Sequence, residues 1–124
     1  MSPAIAGAIN QLCSPKGIEA VHLREKFPEN TPDLEWITKL KKEKDWIIVS
    51  QDRFAKNKLE KEAFYKSDLL AFVLIKGWSH QSYWDKAHKI VRIWPNIIDQ
   101  ANLIKSGGVI EVPLTGKKFK ITKL

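Results

Sequence analysis

An α/β layered domain is the fold class this sequence predicts, and three observations predict it. Stretches of helical periodicity alternate with short apolar runs of strand length along most of the chain. Two of those runs, 46–49 and 69–75, are continuous rather than alternating, as in strands buried on both faces of a parallel sheet. The chain then closes on two weakly alternating segments, 109–114 and 118–122, around Thr115-Gly116, the pattern of a terminal β-hairpin.

The elements follow in order. Ser2-Pro3 reads as a helix N-cap followed by its first residue, where proline gives up only an amide hydrogen that would be unpaired anyway. Ile5, Ala8, Ile9 and Leu12 recur at helical spacing, which predicts a helix over 3–13 that Ser14-Pro15-Lys16-Gly17 stops. Residues 18–23 read as a first strand, with His22 near its end. Thr31-Pro32 repeats the cap-then-proline signal and opens a helix over 32–44, with Leu34, Ile37 and Leu40 inward. Asp33 and Glu35 fall in its first turn, where the helix dipole favours carboxylates by about 0.3–1 kcal/mol each. After the strand 46–49, Asn57 and Glu60 form a capping-box pattern for a helix ending near Ser67. Its expected inward residues are Leu59, Ala63 and Phe64. Gly77 ends the strand 69–75. Tyr83, Ala87, Ile90, Val91 and Trp94 then predict an amphipathic helix that Pro95 interrupts, with a second short helix over 96–105.

Composition sets bounds on function. The chain has 124 residues, one domain's length over 1–124, enough to bury about two-thirds of the surface its unfolded form exposes. Lys and Arg number 21 against 14 acids, a net charge of +7 that favours an anionic partner, nucleic acid above all. Cys13 is the only cysteine, which excludes an intrachain disulfide and a cysteine-based zinc site and suits a reducing cytoplasm. No apolar run reaches the roughly 18 residues of a membrane span, and the N-terminus lacks the basic start of a signal peptide.

Nucleophilic chemistry has no constellation here. Cys13 has no histidine partner in sequence, and there is neither a glycine-rich phosphate loop nor an HExxH pattern. His22, His80 and His88 lack metal-ligand spacing, and the five tryptophans mostly fall on apolar stripes. What remains is acids after strands on a basic chain. Asp52 follows the buried run 46–49 just where open α/β sheets place their ligands. Phosphodiester hydrolysis with Mg²⁺ or Mn²⁺ requires a few converging carboxylates and no special nucleophile, because the ion activates water and neutralises developing charge.

Four segments carry a resemblance. Pro3-Ala4-Ile5-Ala6, Val21-His22-Leu23-Arg24-Glu25, Thr31-Pro32-Asp33-Leu34-Glu35-Trp36 and Ile48-Val49-Ser50-Gln51-Asp52-Arg53 stand in the order and spacing of the PIN-like domains related to VapC-type toxins. The similarity covers nearly the whole chain, including Trp94-Pro95. It implies a three-layer α/β/α fold with a mostly parallel sheet, and an Mg²⁺- or Mn²⁺-dependent ribonuclease, often held in check by an antitoxin protein. Within it, Asp33 matches the acid that opens the second helix and Asp52 the acid after the central-region strand, so both are candidate catalytic and metal-binding residues. Glu35 is a further metal candidate, and Glu25 a weaker supporting one. Arg53, Lys56 and Lys58 are expected to face the RNA backbone.

The resemblance also implies a departure. Such domains begin with a strand that ends in a metal-binding aspartate, and Met1-Ser2-Pro3 aligns with the end of the loop that follows it. The domain is therefore expected to be truncated at its N-terminus, with that strand missing from between 18–23 and 46–49. Phe54 stands where a further acid is expected. Two function classes follow: a PIN-like ribonuclease, the toxin of a toxin–antitoxin pair and inactive if the site is incomplete, or a non-catalytic RNA-binding or protein-interaction module on the same fold. A homodimer fits either. Reading the gene upstream of Met1 separates them.

Overall fold

A computed structural model of the protein describes residues 1–104 and 106–124. The chain divides into two compact units, Met1–Thr31 and Pro32–Leu124.

In the first unit, helix α1 spans Pro3–Cys13 with Pro3 in its first turn, and Ser2 Oγ accepts the Ala4 N–H at 3.1 Å. The cap predicted by Ser2-Pro3 is the cap observed. The buried face is Ile5, Ile9 and Cys13, a strict i, i+4, i+8 stripe. Leu12, expected inward, is 59% exposed, because it precedes that stripe by one residue and so turns about 100° away. A short 3₁₀ turn, Ser14–Lys16, ends in Gly17 at φ 73°.

No strand forms over 18–23. The Ala20 N–H, which a ladder would use, donates instead to Asn10 Oδ1 at 2.9 Å, and Leu23–Lys26 winds into a single helical turn, α2. His22 caps that turn by accepting the Arg24 N–H on Nδ1 at 3.1 Å. Its proton therefore sits on Nε2, which donates to the Met1 carbonyl at 2.8 Å. Both ring nitrogens serve structure.

In the second unit, helix α3 spans Asp33–Glu43 and buries Trp36, Ile37 and Leu40. Its N-cap is Pro32, not Thr31. The Thr31 hydroxyl is spent on the Pro28 carbonyl at 2.8 Å, so the helix starts one residue later than the cap-then-proline signal predicts. Strand β1 is Ile47–Ser50, and helix α4, Lys58–Ser67, opens on the expected capping box: Glu60 N–H donates to Asn57 Oδ1 at 2.8 Å and Asn57 N–H to Glu60 Oε1 at 3.3 Å. Phe64 is fully buried on α4, whereas Leu59 is 62% exposed rather than inward. Strand β2, Leu70–Leu74, is buried at every residue.

Helix α5 runs unbroken from Tyr83 to Leu103, with Pro95 inside it. Proline removes the bond to the Val91 carbonyl, but Val91 and Pro95 both lie on the solvent face, where water can take that carbonyl, so the helix continues. The buried stripe is Ile90, Ile93 and Ile97. Tyr83 and Val91, expected inward, are exposed. The expected helix end at 105 lies outside the described residues.

Strands β3, Gly108–Val112, and β4, Lys120–Thr122, complete the sheet. Its order is β1-β2-β3-β4: the first three strands are parallel, and β4 runs antiparallel to β3 as the predicted hairpin. The α/β class and mostly parallel sheet agree with expectation. The setting of β1 does not. Among the described residues it pairs only with β2, so it is an edge strand, with Ile47 43% exposed and the rest half-buried.

Candidate functional site

Every parallel strand of the sheet ends on the same side, since Ser50 of β1 stands opposite Val73 of β2 and Leu74 opposite Val112 of β3. The loop 51–57 leaves β1 at that end, and it is pinned by contacts that decide where its side chains go. Ser50 Oγ accepts the Asp52 N–H at 3.2 Å and donates to the Asp52 carbonyl. Phe54 packs with ring centroids 5.3 Å from Trp36 of α3 and 5.2 Å from Phe64 of α4, in tilted and edge-on geometry. Position 54 is thus a core position, which accounts for an aromatic residue there.

Asp33 is the second fastening of this loop. Its Oδ2 accepts the Ala55 N–H at 2.8 Å, while Oδ1 accepts Trp36 Nε1–H at 2.9 Å from three residues along the same helix. One carboxylate therefore joins the start of α3, an otherwise buried indole and a backbone amide three residues past Asp52. The structure thus brings Asp33 and the Asp52 loop together. Asp52 differs in kind: it is exposed, and the hydrogen bonds that fix it run through its backbone. Glu35 is exposed on α3 two residues after Asp33, a spacing that turns it to another side of the helix.

The cations divide the same way. Arg53, 41% exposed, pairs through Nη2 with Glu111 Oε2 of β3 at 3.0 Å and donates from Nη1 to the Lys123 carbonyl. Lys56 is exposed in the loop. Lys58, the first residue of α4, lines a shallow surface groove with Lys61, Glu62, Tyr65 and Lys66. Two residues that sequence reasoning passed over also meet here: Lys86 of α5 donates from Nζ to Gln51 Oε1 at 3.0 Å. They lie 35 residues apart, and no periodic signal links them. The Asp33–Trp36 pair did have one, the i, i+3 spacing on a helix.

Whether these residues fit a divalent ion is a question of donor count. Mg²⁺ and Mn²⁺ take oxygen ligands, several of them from carboxylates where catalysis depends on the ion. Asp33 and Asp52 supply two carboxylates, one of which already accepts two hydrogen bonds. Among the described residues no group of three or more His, Cys, Asp or Glu side chains is arranged to hold a metal ion. The donor set on these residues therefore falls short of a complete catalytic ion site.

By class, this is an α/β domain whose polar loops and acids gather at the carboxyl end of a mostly parallel sheet, the end at which such sheets take ligands. The family model described as a PIN like domain matches residues 1–76, which is more than half of the chain. The chain belongs to the PIN-like domain family. No curated protein and no solved structure matches it. No helix among the described residues is long and apolar enough to cross a membrane.

Proposed function

We propose that this chain is an RNA-directed PIN-like domain of the VapC-type ribonuclease class, acting in the cytoplasm. The observation that carries the reading is the placement of the exposed Asp52 loop, fastened by Asp33, at the ligand end of the sheet in a chain of net charge +7. Asp33 and Asp52 are its catalytic candidates, with Glu35 a more distant one, and Mg²⁺ or Mn²⁺ is the ion class that carboxylate oxygens would take once further donors complete the set. Lys56 and Lys58 contact the RNA backbone, joined by Arg53, whose pairing with Glu111 also holds the loop that presents them. As the toxin of a toxin–antitoxin pair, the domain is restrained by an antitoxin protein.

A second reading is favoured by one specific observation. Both Asp33 oxygens are engaged, and the carboxylates present are two rather than the larger set that hydrolysis calls for. On that ground RNA binding is the property expected of this polypeptide, and cleavage by it is expected to be slow or absent.

One experiment separates the readings. A labelled single-stranded RNA is titrated with the protein and then followed under single-turnover conditions with Mn²⁺, for wild type and Asp52→Asn. Binding with cleavage that Asp52→Asn abolishes establishes the ribonuclease. Binding without cleavage establishes the non-catalytic module. Absence of binding overturns the RNA assignment.

A further inference from the structure

Trp84 is 78% exposed, which is unusual for the residue that buries the most apolar area of any. Trp36 and Trp78 are buried at 4% and 0%. Beside Trp84, Tyr83 is 47% exposed, and the two rings meet edge to face with centroids 5.3 Å apart and planes at 82°. They stand at the start of α5, whose N-cap is Ser82, so the helix backbone fixes both Cα atoms. Two adjoining aromatic rings left in water, in edge-to-face contact, form a stacking platform.

The surroundings of that platform say what it would stack. Trp84, His88 and Arg92 follow one another at i, i+4 and i+8, so they lie along one face of α5, and all three are exposed. Lys89 lies at the border of that face, about 100° round the helix from its centre, whereas Lys86 lies about 160° round, on the side of the buried Ile90, Ile93 and Ile97. Each is hydrogen-bonded to a neutral glutamine, Lys86 to Gln51 at 3.0 Å and Lys89 to Gln81 at 2.6 Å, so neither charge is cancelled. Asp85 is the only acid between Tyr83 and Trp94. The Lys86–Gln51 bond also ties the first turn of α5 to the residue preceding Asp52. Aromatic faces and a cation two turns along the helix, Arg92, fall on one surface.

We propose that the exposed face of α5 around Tyr83, Trp84, His88 and Arg92 is a binding track for single-stranded RNA, with an unpaired base stacked on Trp84 and a phosphate on Arg92. This rests on the RNA reading given above and adds to it the form of the substrate and the surface that holds it. A duplex keeps its bases paired and stacked inside, so it cannot offer a face to Trp84. The chemistry therefore selects single strands or loops, with little preference for sequence, since every base has a face to stack.

The test is fluorescence anisotropy with a labelled single-stranded RNA and with a hairpin duplex of the same length, on wild type, Trp84→Ala, Trp84→Phe and Arg92→Gln. Trp84 and Arg92 are exposed, so all variants should melt as wild type does. Trp84→Ala should weaken single-strand binding by about fivefold or more, the loss of one stacked base. Trp84→Phe should recover most of it, and the duplex should bind more weakly than the single strand and respond little to either change. Trp84→Ala should also leave the slope of log affinity against log salt unchanged, whereas Arg92→Gln should lower it by about 0.7, one phosphate contact. If wild type binds RNA and Trp84→Ala binds equally well, the track is wrong and the RNA reading stands. If wild type binds no RNA, the RNA reading itself fails and the track falls with it. If Trp84→Ala instead converts a self-associating protein into a monomer with its RNA affinity intact, the face is a contact between copies and the proposal is overturned.

Discussion

Asp33 and Asp52 are the same residue type only a loop apart, yet their surroundings give them opposite duties. The Asp33 carboxylate receives one N–H on each oxygen, from Trp36 and from Ala55, and so holds together a helix start, a core aromatic and the loop 51–57. Asparagine there keeps one acceptor but turns an NH₂ group toward a donor, leaving a part-buried N–H without a partner. Asp33→Asn is expected to destabilise the protein by about 1–3 kcal/mol. Asp52 is exposed, and only its backbone takes part in the turn with Ser50. Asp52→Asn should therefore leave stability within about 0.5 kcal/mol of wild type, as surface changes usually do, while lowering Mn²⁺ affinity. Thermal melts of both variants, with calorimetric Mn²⁺ titration, check the pair. Equal melts for the two variants would remove the structural role of Asp33, and unchanged Mn²⁺ binding by Asp52→Asn would remove the metal role of Asp52.

At the scale of elements, the sequence disclosed what local chemistry decides. Ser2-Pro3 at the start of α1 and the Asn57–Glu60 box at the start of α4 each form from atoms within a few residues, so the chain carries them openly. The fully buried β2 and the hairpin of β3 and β4 were legible for the same reason: a run of five apolar residues, and a turn between two short segments. The failures are places where distant partners decide. Residues 18–23 have the apolar content of a strand, but the Asn10 side chain takes the Ala20 amide, and no periodic count anticipates that bond. Pro95 argued for a helix break because its missing bond was counted without knowing that the Val91 carbonyl faces solvent. Of the site, Asp52 after a strand and Asp33 at a helix start were readable as types in positions, whereas the Asp33–Ala55 bond and the commitment of Arg53 to Glu111 span 22 and 58 residues and needed the fold. The junction of α4 with the strands supplies a test at this scale. A Cβ on Gly107 would lie 2.4 Å from the Asp68 carbonyl carbon, backbone against backbone, with no flexible side-chain end to yield. Gly107→Ala should cost about 1–3 kcal/mol, as overpacking does. A urea midpoint equal to wild type would show that β3 does not enter the sheet this closely.

For the molecule as a whole, charge is the property that no single contact explains. Seven net positive charges on 124 residues make a field that draws polyanions at long range, and salt weakens it over a Debye length of about 8 Å at physiological ionic strength. Arg53 adds nothing to that excess, because Glu111 balances it. Lys56 and Lys58 are both exposed next to the Asp52 loop, so they are the cations best placed to meet a phosphate backbone crossing that end of the sheet. Each phosphate contact releases counterions, which sets the slope of log affinity against log salt at about 0.7 per contact for single strands. Neutralising both lysines to glutamine should lower that slope by about 1.4 and weaken RNA binding most at low salt. Lys58 is the first residue of α4 and makes no cap bond, so the double variant should melt as wild type does. Neutralising Lys118 and Lys120 on the hairpin serves as the control for a general charge effect, since it removes the same net charge from elsewhere. A slope that falls only for Lys56 and Lys58 locates the RNA beside Asp52. An equal fall for both pairs would mean that RNA answers to the total charge, with no surface preferred. A fall for the hairpin pair alone would place the RNA on β4 and separate it from both carboxylates.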